Sequence, residues 1–290
     1  MQPQWKIWFL AIRPKTLVLS FCPVLIGTFL AFKEHSFHGL TCLFTLLTAL
    51  GIQIAANLAN DYFDFLKGAD TAARKGPLRV TQSGLMTLYG IRKATLLAFA
   101  LTAVTGSYLI WVGGAAIAFL VFLSLGLAFL YTAGPFPLAY VGLGDLFVLI
   151  FFGPVATAGT YYLQTHTFQF YALLAGLAPG FLATAVLALN NLRDVAEDRT
   201  ANKKTLIVRF GRTFGKAEYL FVILAGCLTP LFFFRDQPFT ALALLTLLPA
   251  FPLSAAVWKN EDPYLLNALF QKTALLSLIY TLLFCIGLLL

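Results

Sequence analysis

Nine apolar stretches alternate with polar linkers along the chain, near 16–33, 39–60, 92–112, 114–132, 142–163, 170–190, 216–234, 239–258 and 270–290. Each approaches the roughly 20 mostly apolar residues that a helix needs to cross a bilayer. The pattern predicts an all-α polytopic membrane protein of about nine transmembrane helices, forming one transmembrane domain over residues 1–290. Pro23, Pro154, Pro179 and Pro249 fall inside spans, where neighbouring helices satisfy the backbone groups they free. Ahead of the first span, residues 1–15 carry Trp5, Lys6, Trp8, Arg13 and Lys15 around a short, charge-interrupted apolar run. That arm reads as a short helix lying at the membrane interface, not as a cleavable signal.

Composition agrees with a membrane solvent: 60% of residues are hydrophobic and 11% charged, against about 25% charged in soluble domains. The net charge of +8 would suggest nucleic acid in a soluble protein. Here the basic residues follow topology instead. Eighteen of the twenty Lys and Arg lie in the N-terminal arm and in linkers on one side of the predicted membrane, and only Lys33 and Arg235 lie on the other. The positive-inside rule makes the first side cytoplasmic, with the N-terminus inside and, for an odd number of spans, the C-terminus outside. No run of interleaved basic and aromatic residues offers a nucleic-acid platform. The four cysteines, Cys22, Cys42, Cys227 and Cys285, sit in apolar segments without metal-ligand spacing.

Two polar clusters break the apolar pattern, both at cytoplasmic span ends. The first, Asn57–Arg79, holds Asn57, Asn60, Asp61, Asp64 and Asp70, then Arg74, Lys75 and Arg79. On a helix, Asn57, Asp61 and Asp64 fall at i, i+4 and i+7 and share a face, with Asn60 beside them. Like charges stacked there repel unless a cation lies between them. The second cluster holds Asn190, Asn191, Arg193, Asp194 and Asp198, followed by Lys203, Lys204 and Arg209. The segment Asn60–Asp64 (NDYFD) also echoes Asn190–Asp194 (NNLRD). Carboxylates bind hard divalent ions such as Mg2+, which keep waters and bridge to phosphates, and Arg and Lys bind phosphate oxygens. Two such faces across a cavity suit two Mg2+ ions that bridge to a diphosphate, with Asp61, Asp64, Asp70, Asp194 and Asp198 as the metal-binding carboxylates. The flanking cations Arg74, Lys75, Arg79, Arg193, Lys203, Lys204 and Arg209 either clamp the diphosphate oxygens or only set topology. Lys67, Arg92, Lys93, Arg212 and Lys216 read as orienting charges. Asp145 opens the fifth span; a carboxylate so near hydrocarbon marks a functional site or a helix N-terminus. Tyr131 closes the fourth span at the same depth, where an aromatic face stabilises a nearby cation. His35, His38 and His166 fall on the far side.

Several stretches resemble the UbiA superfamily of membrane prenyltransferases, and within it the 1,4-dihydroxy-2-naphthoate polyprenyltransferases of menaquinone synthesis. They are RPKTL from Arg13, NLANDYFDFLKGAD and its GPLR loop, GLGDLFVLIFFGPVATAGTYYLQ from Gly142, and NNLRDVAEDRTANKKTLIVRFG from Asn190. The chain departs from the commoner pattern at Gly68, with the third Asp at Asp70, and at Asn202, where a Gly usually precedes the lysine. The resemblance implies nine helices around a central cavity that opens laterally to lipid. It also implies Mg2+-dependent transfer of a polyprenyl group from its diphosphate to dihydroxynaphthoate, with loss of CO2 and diphosphate. On that reading Asp64 and Asp194 are catalytic, Tyr131 shields an electron-poor allylic carbon, and Arg13 holds the aromatic carboxylate. Asn57, Asn60, Asn190 and Asn191 join the substrate site, and the protein resides in a bacterial inner membrane. Two alternatives stay open: another aromatic acceptor, such as 4-hydroxybenzoate or homogentisate, and a non-enzymatic transporter.

Overall fold

The computed structural model describes residues 3–69 and 76–290, which leaves Asp70, Arg74 and Lys75 outside the described residues. The described chain is all helix and connection. A short α1 (Gln4–Ile12) exposes Trp5, Trp8 and Phe9 beside Lys6, the amphipathic character of an interfacial helix. Arg13, in the left-handed conformation at φ 56°, turns the chain into α2 (Pro14–Lys33), with Pro14 at its first turn. Next come α3 (Gly39–Leu66) and α4 (Leu88–Leu130). The span Gly144–Thr165 is α5 (Gly144–Ile150), a π-helical turn over Phe151–Val155 and α6 (Ala156–Thr165). Then follow α7 (Phe170–Arg193), two short helices, α8 (Val195–Thr200) and α9 (Leu206–Phe210), and α10 (Arg212–Leu228), which runs on through a 3-10 turn to Phe233. A second 3-10 segment leads into α11 (Leu247–Lys259), and α12 (Pro263–Leu289) closes the chain.

Eight of these helical segments are long and apolar enough to cross a membrane. The 43-residue α4 is two of the predicted spans. A straight helix places Gly106 and Val121 roughly 22 Å apart, yet a Cβ added at Gly106 would lie 2.9 Å from a Val121 methyl. The reversal is at Gly114, whose φ of 67° and ψ of −155° leave the helix, a conformation open to glycine. With its two arms taken separately, α4 brings the eight helices to nine crossing segments, matching the sequence pattern. The chain is an integral membrane protein.

The most buried of the crossing helices, α7, buries a series of small residues: Ala172, Ala175, Gly176, Ala178, Gly180, Ala183, Ala185 and Ala188. In lipid, helices associate by close backbone packing, which small residues permit. Gly153 in the π turn meets Gly176 and Gly180 here, and a Cβ on Gly176 would lie 2.6 Å from the Pro154 Cα. The colliding atoms are backbone, so no rotamer change relieves them. Gly176→Ala is therefore expected to lower stability by about 3 kcal/mol, read as a fall in detergent thermal unfolding temperature; an unchanged midpoint would refute this contact.

Chain alternation sets up the site. α3, the second arm of α4 and α7 all run toward one face, and α5 starts there. Their polar ends meet around a cavity of about 650 Å³.

Candidate active site

Helix α3 ends where its acid motif ends. Lys67 is the C-cap and Gly68 follows at φ 67°. The Gly68 N–H donates to Phe65 O and the Ala69 N–H to Asp64 O, at 3.1 and 2.9 Å. This is a Schellman motif, which needs a left-handed residue at that position. The glycine that departs from the commoner motif thus closes the helix one turn beyond Asp64.

The acids of α3 do not share one environment. Asp64 lines the cavity with Asn57 and Asn60. Its carboxylate is fixed from two sides: Arg79 Nη2 reaches one oxygen at 3.2 Å and the Tyr140 hydroxyl donates to the other at 2.9 Å. Asp61 is equally buried but lies off the cavity, where its oxygens accept the Val80 and Thr81 N–H groups at 3.2 Å each. The predicted shared face is split because the returning loop supplies backbone donors on one side. Asn57 donates to Ile12 O at 2.9 Å and to the Thr16 hydroxyl at 3.0 Å, which pins the turn that carries Arg13 into the cavity wall. Asn60 accepts from the Thr132 hydroxyl at 2.7 Å.

The second motif forms where α7 breaks into α8 at Asp194. Arg193, 3% exposed, donates from Nε and Nη2 to the two oxygens of Asp194 at 2.6 and 2.7 Å. Its remaining donors reach Asn190 and Asn267. Arg193, Asn190 and Asn191 line the cavity, while Asp194 stands behind Arg193. Asp198 meets Lys203 Nζ at 3.4 Å, and Lys203 faces the cavity. Asn202 takes φ 56°. Asn is among the non-glycine residues that enter this region most readily, so the turn before Lys203 keeps a glycine-like backbone. Lys204 and Arg209 are exposed and off the cavity; Arg209 braces the loops by donating to Lys204 O and Val141 O at 3.1 and 2.8 Å.

The loop between α4 and α5 joins the two motifs. Besides holding Asp64, Tyr140 carries Lys67 Nζ 4.5 Å and Lys203 Nζ 5.6 Å from its ring centroid. Its carbonyl accepts the Lys204 N–H at 2.9 Å. Tyr131 and Asp145 complete the wall, with the Asn191 amide 3.4 Å from Asp145 Oδ1. Gly144 makes room for the Tyr131 hydroxyl, which would lie 3.1 Å from a Cβ there. Burial pushes the Asp198 carboxyl up to about 6, opposed by Lys203. The Lys67 ammonium is pushed down by burial, with Asp64 pulling the other way.

Neither Tyr140 nor Lys67 was assigned to the site by the sequence pattern. Lys67 read as an orienting charge, and a tyrosine in a turn carries no signal of its own. The orienting role does suit Arg212 and Lys216, which pair with Glu261 away from the cavity.

Whether these residues suit Mg2+ is decided by their oxygens. Among the described residues, no three His, Cys, Asp or Glu side chains converge as a closed metal cage. Mg2+ does not require one, since it takes one or two carboxylates and completes its shell with water and phosphate. The buried Oδ2 of Asp198 has no hydrogen-bond partner among the described residues, an acceptor that a cation would satisfy. The donor set therefore fits the ion.

Away from the mouth the cavity turns apolar. Leu109, Ile117, Leu120, Val121 and Leu163 line it toward the opposite face. One compartment thus combines a charged mouth with a greasy interior.

Comparison with known proteins points the same way. The model of the UbiA prenyltransferase family matches residues 20–288. The 1,4-dihydroxy-2-naphthoate octaprenyltransferase of Escherichia coli is 39% identical over 97% of this chain and 94% of its own length. Human UbiA prenyltransferase domain-containing protein 1 is 30% identical over 98% of this chain and 83% of its own. Among solved structures, a UbiA homolog from Archaeoglobus fulgidus bound to GPP and Mg2+ superposes with a TM-score of 0.66 at 15% identity, covering 96% of this chain and 99% of that one.

Proposed function

The chain belongs to the UbiA prenyltransferase family, and from that premise we propose that it transfers a polyprenyl group from polyprenyl diphosphate to 1,4-dihydroxy-2-naphthoate. Diphosphate and CO2 leave, and the product is a demethylmenaquinol. The observation that carries this reading is the cavity itself, with acidic and basic side chains of two remote helix ends at its mouth and apolar walls beyond.

Each residue has a task under this reading. Arg79, Arg193 and Lys203 donate to the diphosphate oxygens, with Asn60, Asn190 and Asn191 beside them; Arg74 and Lys75, close to Arg79 in sequence, share that task. Asp64, Asp194 and Asp198, with Asp70, would hold Mg2+, and Asp61 keeps the segment at Val80 and Thr81 docked. Bound there, Mg2+ offsets the charge that builds on the leaving diphosphate. The apolar wall receives the prenyl chain. Tyr131 presents its face to the allylic carbon as positive charge develops there. Arg13 takes the naphthoate carboxylate, and Asp145 accepts a proton from a ring hydroxyl. The ring carbon bonds to the allylic carbon as the allylic C–O bond breaks, and CO2 departs leaving its bonding electrons on the ring, whose oxygen then recovers the proton from Asp145. The excess of cations on this face supports a cytoplasmic site and N-terminus, and the membrane under this reading is a bacterial inner membrane.

The test is to incubate membranes holding the full chain with labelled prenyl diphosphate, Mg2+ and a panel of aromatic acids. Labelled product is expected from dihydroxynaphthoate and not from 4-hydroxybenzoate or homogentisate; product from another acid alone would reassign the acceptor. Chelation of divalent ions is expected to abolish transfer, and Mg2+ to restore it. Transfer that persists in excess chelator would remove the ion from the reading.

A further inference from the structure

The two acidic motifs lie about 130 residues apart in sequence, and a single aromatic side chain touches both. Tyr140 gives its hydroxyl to Asp64 of the first motif at 2.9 Å. Its ring attracts Lys203, the ion-pair partner of Asp198 in the second motif, and Lys67, the residue that caps α3. Lys67 is itself anchored, its Nζ donating to Thr132 O at 2.5 Å, while the Thr132 hydroxyl donates to Asn60.

Two ammoniums drawn to one ring repel each other. That arrangement is stable where carboxylates offset the charge, and both are offset here, Lys203 by Asp198 and Lys67 by the nearby Asp64. The result is a hub in which each motif contributes a carboxylate and a lysine, with Arg79 as a further partner of Asp64. Of those carboxylates and lysines, Asp64 and Lys203 are the two on the cavity wall. Fixing one of them through the ring and hydroxyl therefore fixes the other.

We propose that Tyr140 is a positioning residue that sets the Asp64 carboxylate and the Lys203 ammonium at a fixed separation, so that the two motifs engage one diphosphate as a unit. The proposal rests on the diphosphate reading of the site. Tyr140 itself is absent from the cavity wall; it acts through the groups it holds.

The Phe and Leu variants separate its two arms. Tyr140→Phe keeps the ring and removes the hydroxyl; Tyr140→Leu removes both. Binding of inorganic pyrophosphate with Mg2+ to the purified full chain in nanodiscs is the readout, alongside KM and kcat for prenyl diphosphate. Tyr140→Phe is expected to weaken pyrophosphate binding by about three- to tenfold, the effect of one hydrogen bond. Tyr140→Leu is expected to weaken it by about ten- to a hundredfold, since the cation–π hold is lost as well. KM should rise in both more than kcat falls. Coupling has its own signature: Lys203→Met should cost clearly less in the Tyr140→Leu background than in wild type.

Independent, multiplying effects of Tyr140→Leu and Lys203→Met would overturn the proposal, as would Phe and Leu variants that bind normally and only melt earlier. Should the Leu variant fail to fold, the cycle of Tyr140→Phe with Asp64→Asn decides by the same criterion. A wild-type chain that binds no pyrophosphate overturns the diphosphate reading together with this proposal. Normal wild-type binding with unaffected Tyr140 variants overturns this proposal alone.

Discussion

Asp64→Ala is expected to lower prenyl transfer by a factor on the order of 10³ or more, the scale of losing a principal electrostatic stabiliser of a developing charge. Among the described acids of the first motif, Asp64 is the one that both lines the cavity and has its carboxylate oriented from two sides, by Arg79 and Tyr140. Removing it takes away an oxygen ligand and the contact that Asp64 makes with the Arg79 guanidinium, which is 8% exposed. The loss should appear in kcat measured per folded protein, with membrane insertion unchanged by protease accessibility. Asp64→Ala with full turnover would contradict the assignment of this carboxylate.

Asp194→Ala is expected to have two large effects. Arg193 grips Asp194 through two hydrogen bonds, and the two side chains are 1% and 8% exposed. Breaking a buried ion pair by removing one partner costs about 3–5 kcal/mol, because the remaining charge is left without compensation. Asn190 and Asn267 still accept from the guanidinium, which places the expected loss toward the lower end of that range. Transfer should also fail, because Arg193 loses the carboxylate that holds it against the cavity. A lowered unfolding midpoint together with lost transfer supports this arrangement, and retained transfer at full folded fraction refutes it.

Much of this architecture was legible because the bilayer imposes its own dimension. Apolar runs of the right length stand out, and alternation of Lys and Arg ordered their ends. The hairpin at Gly114 was visible as a break between two apolar runs. The two acid-rich span ends were legible for a similar reason, since carboxylates so close to hydrocarbon have few structural explanations. The distribution of roles among neighbours was not. Asp61 and Asp64 are equivalent on a helical wheel, and only the returning loop at Val80 and Thr81 tells them apart. Lys67 and Lys203 both lie on the cation-rich side, where topology and ligand binding demand the same charge, so position could not separate the roles. Tyr140 acquires its role solely from three loops meeting in space. Asn202 shows the converse: its left-handed backbone explains how the chain replaces a glycine without losing the turn.

The most direct test of a shared site is a structure of the full chain with Mn2+ in place of Mg2+ and an unreactive prenyl thiolodiphosphate. Anomalous density is expected at the cavity mouth, with metal bound by Asp64 on one side and by the Asp194–Asp198 segment on the other, around a single diphosphate. Density confined to one helix end, with the diphosphate out of reach of the other, would contradict it.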